Sequence, residues 1–231
     1  MSQEKDYWEA RWREGRIGFH EAQANEHLRR EWPLLGLTGD EAVLVPLCGK
    51  SHDLAWLAGR GHCVVGVEFS EAAVAAFFAE QGIAARRHTA GGQQLWSAGH
   101  LTIVQGDFFS LEPDLLAHCC GGTVPRAWWD RAALVALPAP ERRAYAARLP
   151  ALLAAGARGL LLVLEYQQAE MQGPPFAVNE PEVRELFSAP AFTNPQPLMR
   201  CEVEITPERR ALGVTRLQDC LWRLACSDGL A

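Results

Sequence analysis

No apolar run in this 231-residue chain approaches the length needed to span a bilayer, so no membrane association is expected. The first segment, Met1 to Arg13, mixes Glu4, Lys5, Asp6, Glu9 and Arg11 with aromatics and lacks the apolar stretch of a secretory signal. Seven cysteines stand at 48, 63, 119, 120, 201, 220 and 226 without a CxxC or a paired Cys/His zinc spacing, so no metal is expected. A reducing compartment, the cytoplasm, is the expected location. The adjacent Cys119 and Cys120 read either as a redox-active pair or as two ordinary loop thiols. A run of Lys or Arg is also missing, and with a formal net charge of −6 a nucleic-acid backbone is not the expected partner. The expected ligand is a small molecule, and the chain is expected to act as a monomer.

Internal repeats, low-complexity tracts and linker-like stretches are absent, and the length suits one domain over 1–231. Residues 1–35 read as an N-terminal helical extension: a short helix from Asp6 to Arg13 carries Tyr7, Trp8 and Trp12, and a second runs from Asn25 to Trp32 before Pro33. Beyond it, Ala42 to Leu47 and Cys63 to Val67 are apolar runs of strand length flanking a helix at His52 to Ala58, the βαβ pattern. Ser70 caps a helix that Gly82 stops. Further apolar runs at 101–104, 127–129 and 160–164 alternate with an alanine-rich helix at about 140–153, which implies an α/β fold with a mostly parallel sheet. A helix near 181–187 and two late strands, 200–205 and 214–224, complete the reading.

In an open α/β sheet the ligand lies beyond the carboxyl ends of the strands. Those ends here are Pro46 to Ser51, Glu68, Gly106 to Phe109, and Asp130-Arg131. Gly49-Lys50-Ser51 resembles part of a phosphate loop, but the glycine required five positions earlier is Leu44. The turn has one glycine where a dinucleotide fingerprint has three, which disfavours a Rossmann dehydrogenase. S-adenosylmethionine has a ribose and an adenine but no phosphate, so one glycine beside its methionine tail is enough. Glu68, nineteen residues after Gly49, can accept from both hydroxyls of a ribose, or simply cap the helix at Ser70. Asp107 and Phe108 suit an adenine pocket, although a Phe-Phe pair is also ordinary core. Arg131 can hold a carboxylate of the cofactor or a substrate anion, or pair with Asp130 or Asp107. His20 is either a satisfied histidine or, with Arg131, a candidate for guiding a nucleophile. Trp8, Trp12 and Phe19 offer aromatic area to cover a ligand and exclude water.

These residues together resemble the bacterial form of the thiopurine S-methyltransferase family. The resemblance is carried by Trp8 to Trp12, Ile17 to His20, Val43 to Ser51, Trp56 to Ser70, Phe77 to Glu80, Gly106 to Phe109, Asp130 to Pro138, Glu165-Tyr166 and Gly173 to Phe176. It implies a Rossmann-like class I methyltransferase fold with an N-terminal helical cover. It further implies S-adenosyl-L-methionine as cofactor, and methyl transfer to the sulfur of an aromatic or heterocyclic thiol such as a thiopurine. By the same resemblance Trp12, Leu47, Glu68, Asp107, Phe108 and Arg131 fall on cofactor-contacting positions, joined by Gly49 from the turn, and Phe19 falls where the substrate ring is approached. Selenium or tellurium species, or other small thiols, are alternative acceptors, and a non-catalytic cofactor-binding module is the alternative outside enzymes.

Overall fold

The structure is a computed structural model and describes residues 2–18 and 20–228. The chain divides into two compact units, 1–125 and 126–231. In the first, α1 (Ser2–Arg13) and α2 (Glu26–Glu31) precede β1 (Ala42–Val45), α3 (Asp53–Ala58), β2 (Cys63–Glu68) and α4 (Glu71–Glu80). Then follow β3 (Arg86–Ala90), β4 (Gln93–Ala98), β5 (Leu101–Gln105) and α5 (Pro113–Cys119). The strand order is β3-β4-β5-β2-β1. Strands β1, β2 and β5 are parallel, and the β3-β4 hairpin adds antiparallel strands at the β5 edge.

Every residue of β1 is buried, and so are Val64 to Glu68 of β2, because helices cover both faces of a parallel core. Capping sets the helix starts. Asn25 accepts from the amides of His27 and Leu28, its own amide donates to Asp53 Oδ1 at 2.7 Å, and α2 is thereby tied to α3. Ser70 accepts from Ala73 N, as its position predicts. Trp32, in the 3-10 turn that closes the N-terminal helices, donates its indole N–H to buried His62 Nε2 at 3.1 Å.

The β3-β4 hairpin is absent from the sequence reading. Its outer strand, Arg-Arg-His-Thr-Ala, is an edge strand with exposed polar residues and so makes no apolar run. Gly91 and Gly92 form a two-residue turn at φ 55° and 75°, the left-handed pair that hairpins favour, and this was the legible signal. Across the hairpin Arg87 lies opposite Trp96, its guanidinium 3.3 Å from the ring centroid.

The second unit contains β6 (Ala127–Arg131), α6 (Ala139–Leu152), β7 (Arg158–Glu165), α7 (Glu180–Leu186), β8 (Gln196–Glu202), α8 (Pro207–Ala211) and β9 (Gln218–Ala225). Strands β6 and β7 are parallel, while β9 runs antiparallel between β7 and β8. The two late strands lie a few residues from their expected places, because Thr206 caps the short α8 between them. Arg142 of α6, 2 % exposed, donates to Leu137 O and Ala177 O and pairs with Glu182 of α7 at 2.8 Å, which locks the two helices together. Among the described residues no helix is long and apolar enough to cross a membrane.

Candidate active site at the strand ends

Backbone bonds draw the ends of the first unit's parallel strands together: Cys48 N donates to Val67 O at 2.9 Å, and Gly106 N to Glu68 O at 3.0 Å. The turn after β1 is strained. Leu47 has φ 46°, a region that non-glycine residues avoid, and Gly49 follows at φ 54°. This geometry aims the Gly49 amide at Glu68 Oε2 (3.0 Å), while the Ser70 amide reaches Oε1 (2.8 Å). Glu68 is 6 % exposed. Burial pushes its carboxyl up to about 7, with the Ser70 and Gly49 amides pulling the other way. Burial and the neighbouring Glu68 also push the Cys48 thiol well up, which keeps it neutral.

Helix α1 crosses this region. A side chain at Gly49 would meet Cζ2 of Trp12 at 3.0 Å, so the glycine lets the indole approach the turn. Lys5, on the same helix, pairs with Asp107 Oδ2 at 3.0 Å. The other Asp107 oxygen accepts from Phe109 N and caps a 3-10 turn, and Phe108 within that turn is 3 % exposed. Trp12, Leu47, Gly49, Glu68, Asp107 and Phe108 thus share one end of the first unit's sheet. Lys5 is a member the sequence reading missed, since a lysine among mixed charges gives no sign of its partner. Phe19 lies outside the described residues.

His20 meets His52 and Glu80 of this unit. Its ring stacks on His52, centroids 5.3 Å apart, and its Nε2 is 3.5 Å from Glu80 Oε2. Glu80 is ion-paired with Lys50, which holds its carboxyl below the usual range. Ligand atoms of His20, His52 and Glu80 fall within 4.8 Å of one another, but a cation placed there would compete with Lys50, and Gln81 already binds His52 Nδ1 at 2.7 Å.

In the second unit Asp130 and Arg131 are the last residues of β6 rather than the first beyond it. Ala132 follows at φ 65°, a second strained strand end. Asp130 is fully buried, accepting from Tyr145 Oη at 2.7 Å and Leu134 N at 3.2 Å. Burial pushes its carboxyl up to about 6, opposed by Tyr145 and the Leu134 and Ala133 amides.

The parallel β1-β2-β5 core belongs to the fold of class I S-adenosylmethionine-dependent methyltransferases. Solved structures share the fold. A Burkholderia thailandensis 1,6-didemethyltoxoflavin-N1-methyltransferase with bound S-adenosylhomocysteine superimposes at TM-score 0.62 with 19% identity, over 98% of this chain and 88% of that one. Magnesium protoporphyrin IX methyltransferase from Synechocystis, with bound S-adenosylmethionine, gives 0.61 with 15% identity over 97% of each. The chain belongs to the thiopurine S-methyltransferase family, whose model matches residues 3–227. It is similar to the thiopurine S-methyltransferases of Azotobacter vinelandii, 51% identical over 79% of this chain and 81% of that protein, and of Pseudomonas putida F1, 42% identical over 96% and 99%.

Proposed function

We propose that this enzyme methylates the sulfur of aromatic or heterocyclic thiols, of which thiopurines are the type. The family membership supports this, and the observation that carries it is Glu68: a buried carboxyl held by the Gly49 and Ser70 amides, beside a one-glycine turn against which the Trp12 indole packs. When bound, S-adenosylmethionine supplies an activated methyl group on a sulfonium. The residues present fit it, because the acid can accept from a vicinal diol and the single-glycine turn has no phosphate cradle to fill.

Glu68 holds the ribose hydroxyls, with Leu47 and Gly49 against the methionine portion. Asp107 accepts from the exocyclic amine of adenine, for which Lys5 must give way, and Phe108 packs on the base. Trp12 presents an aromatic face to the sulfonium. Arg131 holds an anionic group, either the cofactor carboxylate or the thiolate. His20 guides the acceptor, and Phe19 meets its ring. A heterocyclic thiol ionises readily, so the protein's main tasks are alignment and exclusion of water rather than proton abstraction. The enzyme works as a cytoplasmic monomer on a small molecule.

Labelled methyl donor, offered with a heterocyclic thiol, aliphatic thiols, selenite and tellurite, tests the reading. The label is expected on the heterocyclic sulfur. Transfer only to selenium or tellurium would replace the acceptor class, and cofactor binding without any transfer would leave a binding module.

Two further results are expected. If residues 1–35 cover the site, amides within 2–18 exchange more slowly when S-adenosylhomocysteine is bound; equal exchange in both states would make α1 ordinary packing. Arg131→Lys keeps the charge but loses the planar fork, so kcat/KM should fall about ten- to a hundredfold, the equivalent of one charged hydrogen bond. An unchanged rate with a slightly lowered Tm would make Arg131 structural.

A further inference from the structure

The vicinal Cys119-Cys120 pair stands out in the sequence, but the fold brings a different pair together. Cys63 opens β2 and Cys120 is the residue just after α5, and their Sγ atoms lie 2.6 Å apart although the residues are 57 positions apart in the chain. The contact is reciprocal. Cys63 Sγ is also 3.6 Å from Cys119 O, and Cys120 Sγ is 3.6 Å from Cys63 O. Both cysteines are free thiols. Cys63 is partly exposed, whereas Cys120 is 7 % exposed, so a reagent from solvent meets Cys63 first.

The two sulfurs are chemically unequal. The contact with Cys120 lowers the Cys63 pKa, whereas Cys120 is pushed up by that contact and by burial, and Cys119 is pushed up to about 11 by burial. A more acidic, accessible thiol touching a neutral, enclosed one is the usual division between an attacking and a resolving cysteine.

We propose that Cys63 and Cys120 are a redox modification site, forming a reversible disulfide when the protein meets a hydroperoxide. The Cys63 thiolate attacks hydrogen peroxide; an S–O bond forms, the O–O bond breaks, and the departing hydroxide takes up the proton released when the Cys63 thiol ionised and leaves as water. The Cys120 sulfur then attacks the Cys63 sulfenic acid; the S–S bond forms, the S–O bond breaks, and the hydroxyl leaves as water with the Cys120 proton. Two thiols lose two electrons, and one hydrogen peroxide becomes two waters. The bridge would staple the start of β2 to the end of α5. Glu68 is at the opposite end of β2, so the modification is separate from the candidate active site.

The full-length protein, treated with stoichiometric hydrogen peroxide, quenched, and alkylated in denaturant, provides the test. Five of the seven thiols should remain alkylatable, the peptides carrying Cys63 and Cys120 should be joined, and dithiothreitol should restore all seven. Cys63→Ser and Cys120→Ser should each abolish this bridge, while Cys119→Ser retains it. Oxidation should raise the Tm of wild type and of Cys119→Ser, but not of Cys63→Ser, a comparison that holds even if a variant is somewhat destabilised. Seven unreacted thiols, a bridge between Cys119 and Cys120, or sulfinic acid on Cys63 without a bridge would each overturn the proposal.

Discussion

Glu68→Gln is expected to weaken binding of S-adenosylhomocysteine by about 1 to 3 kcal/mol, roughly five- to 150-fold in Kd. The carboxylate accepts from the Gly49 and Ser70 amides and keeps lone pairs for ribose hydroxyls. An amide side chain turns one of those oxygens into a donor, which then faces either a backbone N–H or a sugar hydroxyl. The pH dependence separates the two roles of the residue. With the carboxyl pushed up to about 7, wild-type affinity should fall below that pH, by up to about tenfold per pH unit, as the acceptor is protonated. In Glu68→Gln this dependence should disappear. The free protein changes in the opposite sense. Its folded state holds this proton more tightly than the unfolded chain, so the contribution of Glu68 to stability is greatest below 4.5 and declines as pH rises to about 7. Calorimetric titrations at several pH values provide the check. Wild-type affinity in the variant would show that Glu68 only fastens the turn to α4.

Asp130→Ala should be the most destabilising of these changes, by about 3 kcal/mol or more in urea unfolding. It leaves the buried Tyr145 hydroxyl and the Leu134 amide without their acceptor, at about 1 to 3 kcal/mol each. Asp130→Asn keeps one acceptor oxygen and should lose less. Tyr145→Phe, combined with Asp130→Ala, should recover part of the loss, because it removes the hydroxyl whose bond to Asp130 is already gone. The folded-state carboxyl is raised from 3.8 to about 6, so wild-type stability should decline across that interval as pH rises, and the decline should be smaller in Asp130→Asn. A loss under about 1 kcal/mol in Asp130→Ala would mean that water or a rearranged turn supplies the missing acceptor.

Much of the first unit's sheet was legible because its central strands are buried on both faces and so appear as unbroken apolar runs, which β1 and β2 show plainly. The Ser70 and Asn25 caps were legible for a local reason, since a cap bonds to amides two or three residues away. The β3 edge strand escaped because only one side of it needs partners, and the backbone rather than its side chains supplies them. The placement of Asp130 and Arg131 inside β6 escaped for a related reason. A strand continues as long as its ladder does, whatever the polarity of the residues.

For the candidate site, the sequence alone determined the single glycine at 49, the acid nineteen residues later and the exclusion of a phosphate loop, because turn geometry and ligand chemistry depend on residue type and near spacing. Tertiary structure decided what those groups touch. Glu68 is raised toward neutrality only because packing removes water from it. Lys5 meets Asp107, and Trp12 meets Gly49, only because α1 crosses the strand ends. Cys63 likewise finds Cys120 rather than leaving it to its neighbour Cys119. Burial and long-range contact depend on how distant segments fold against one another, and residue order encodes that only through the whole fold.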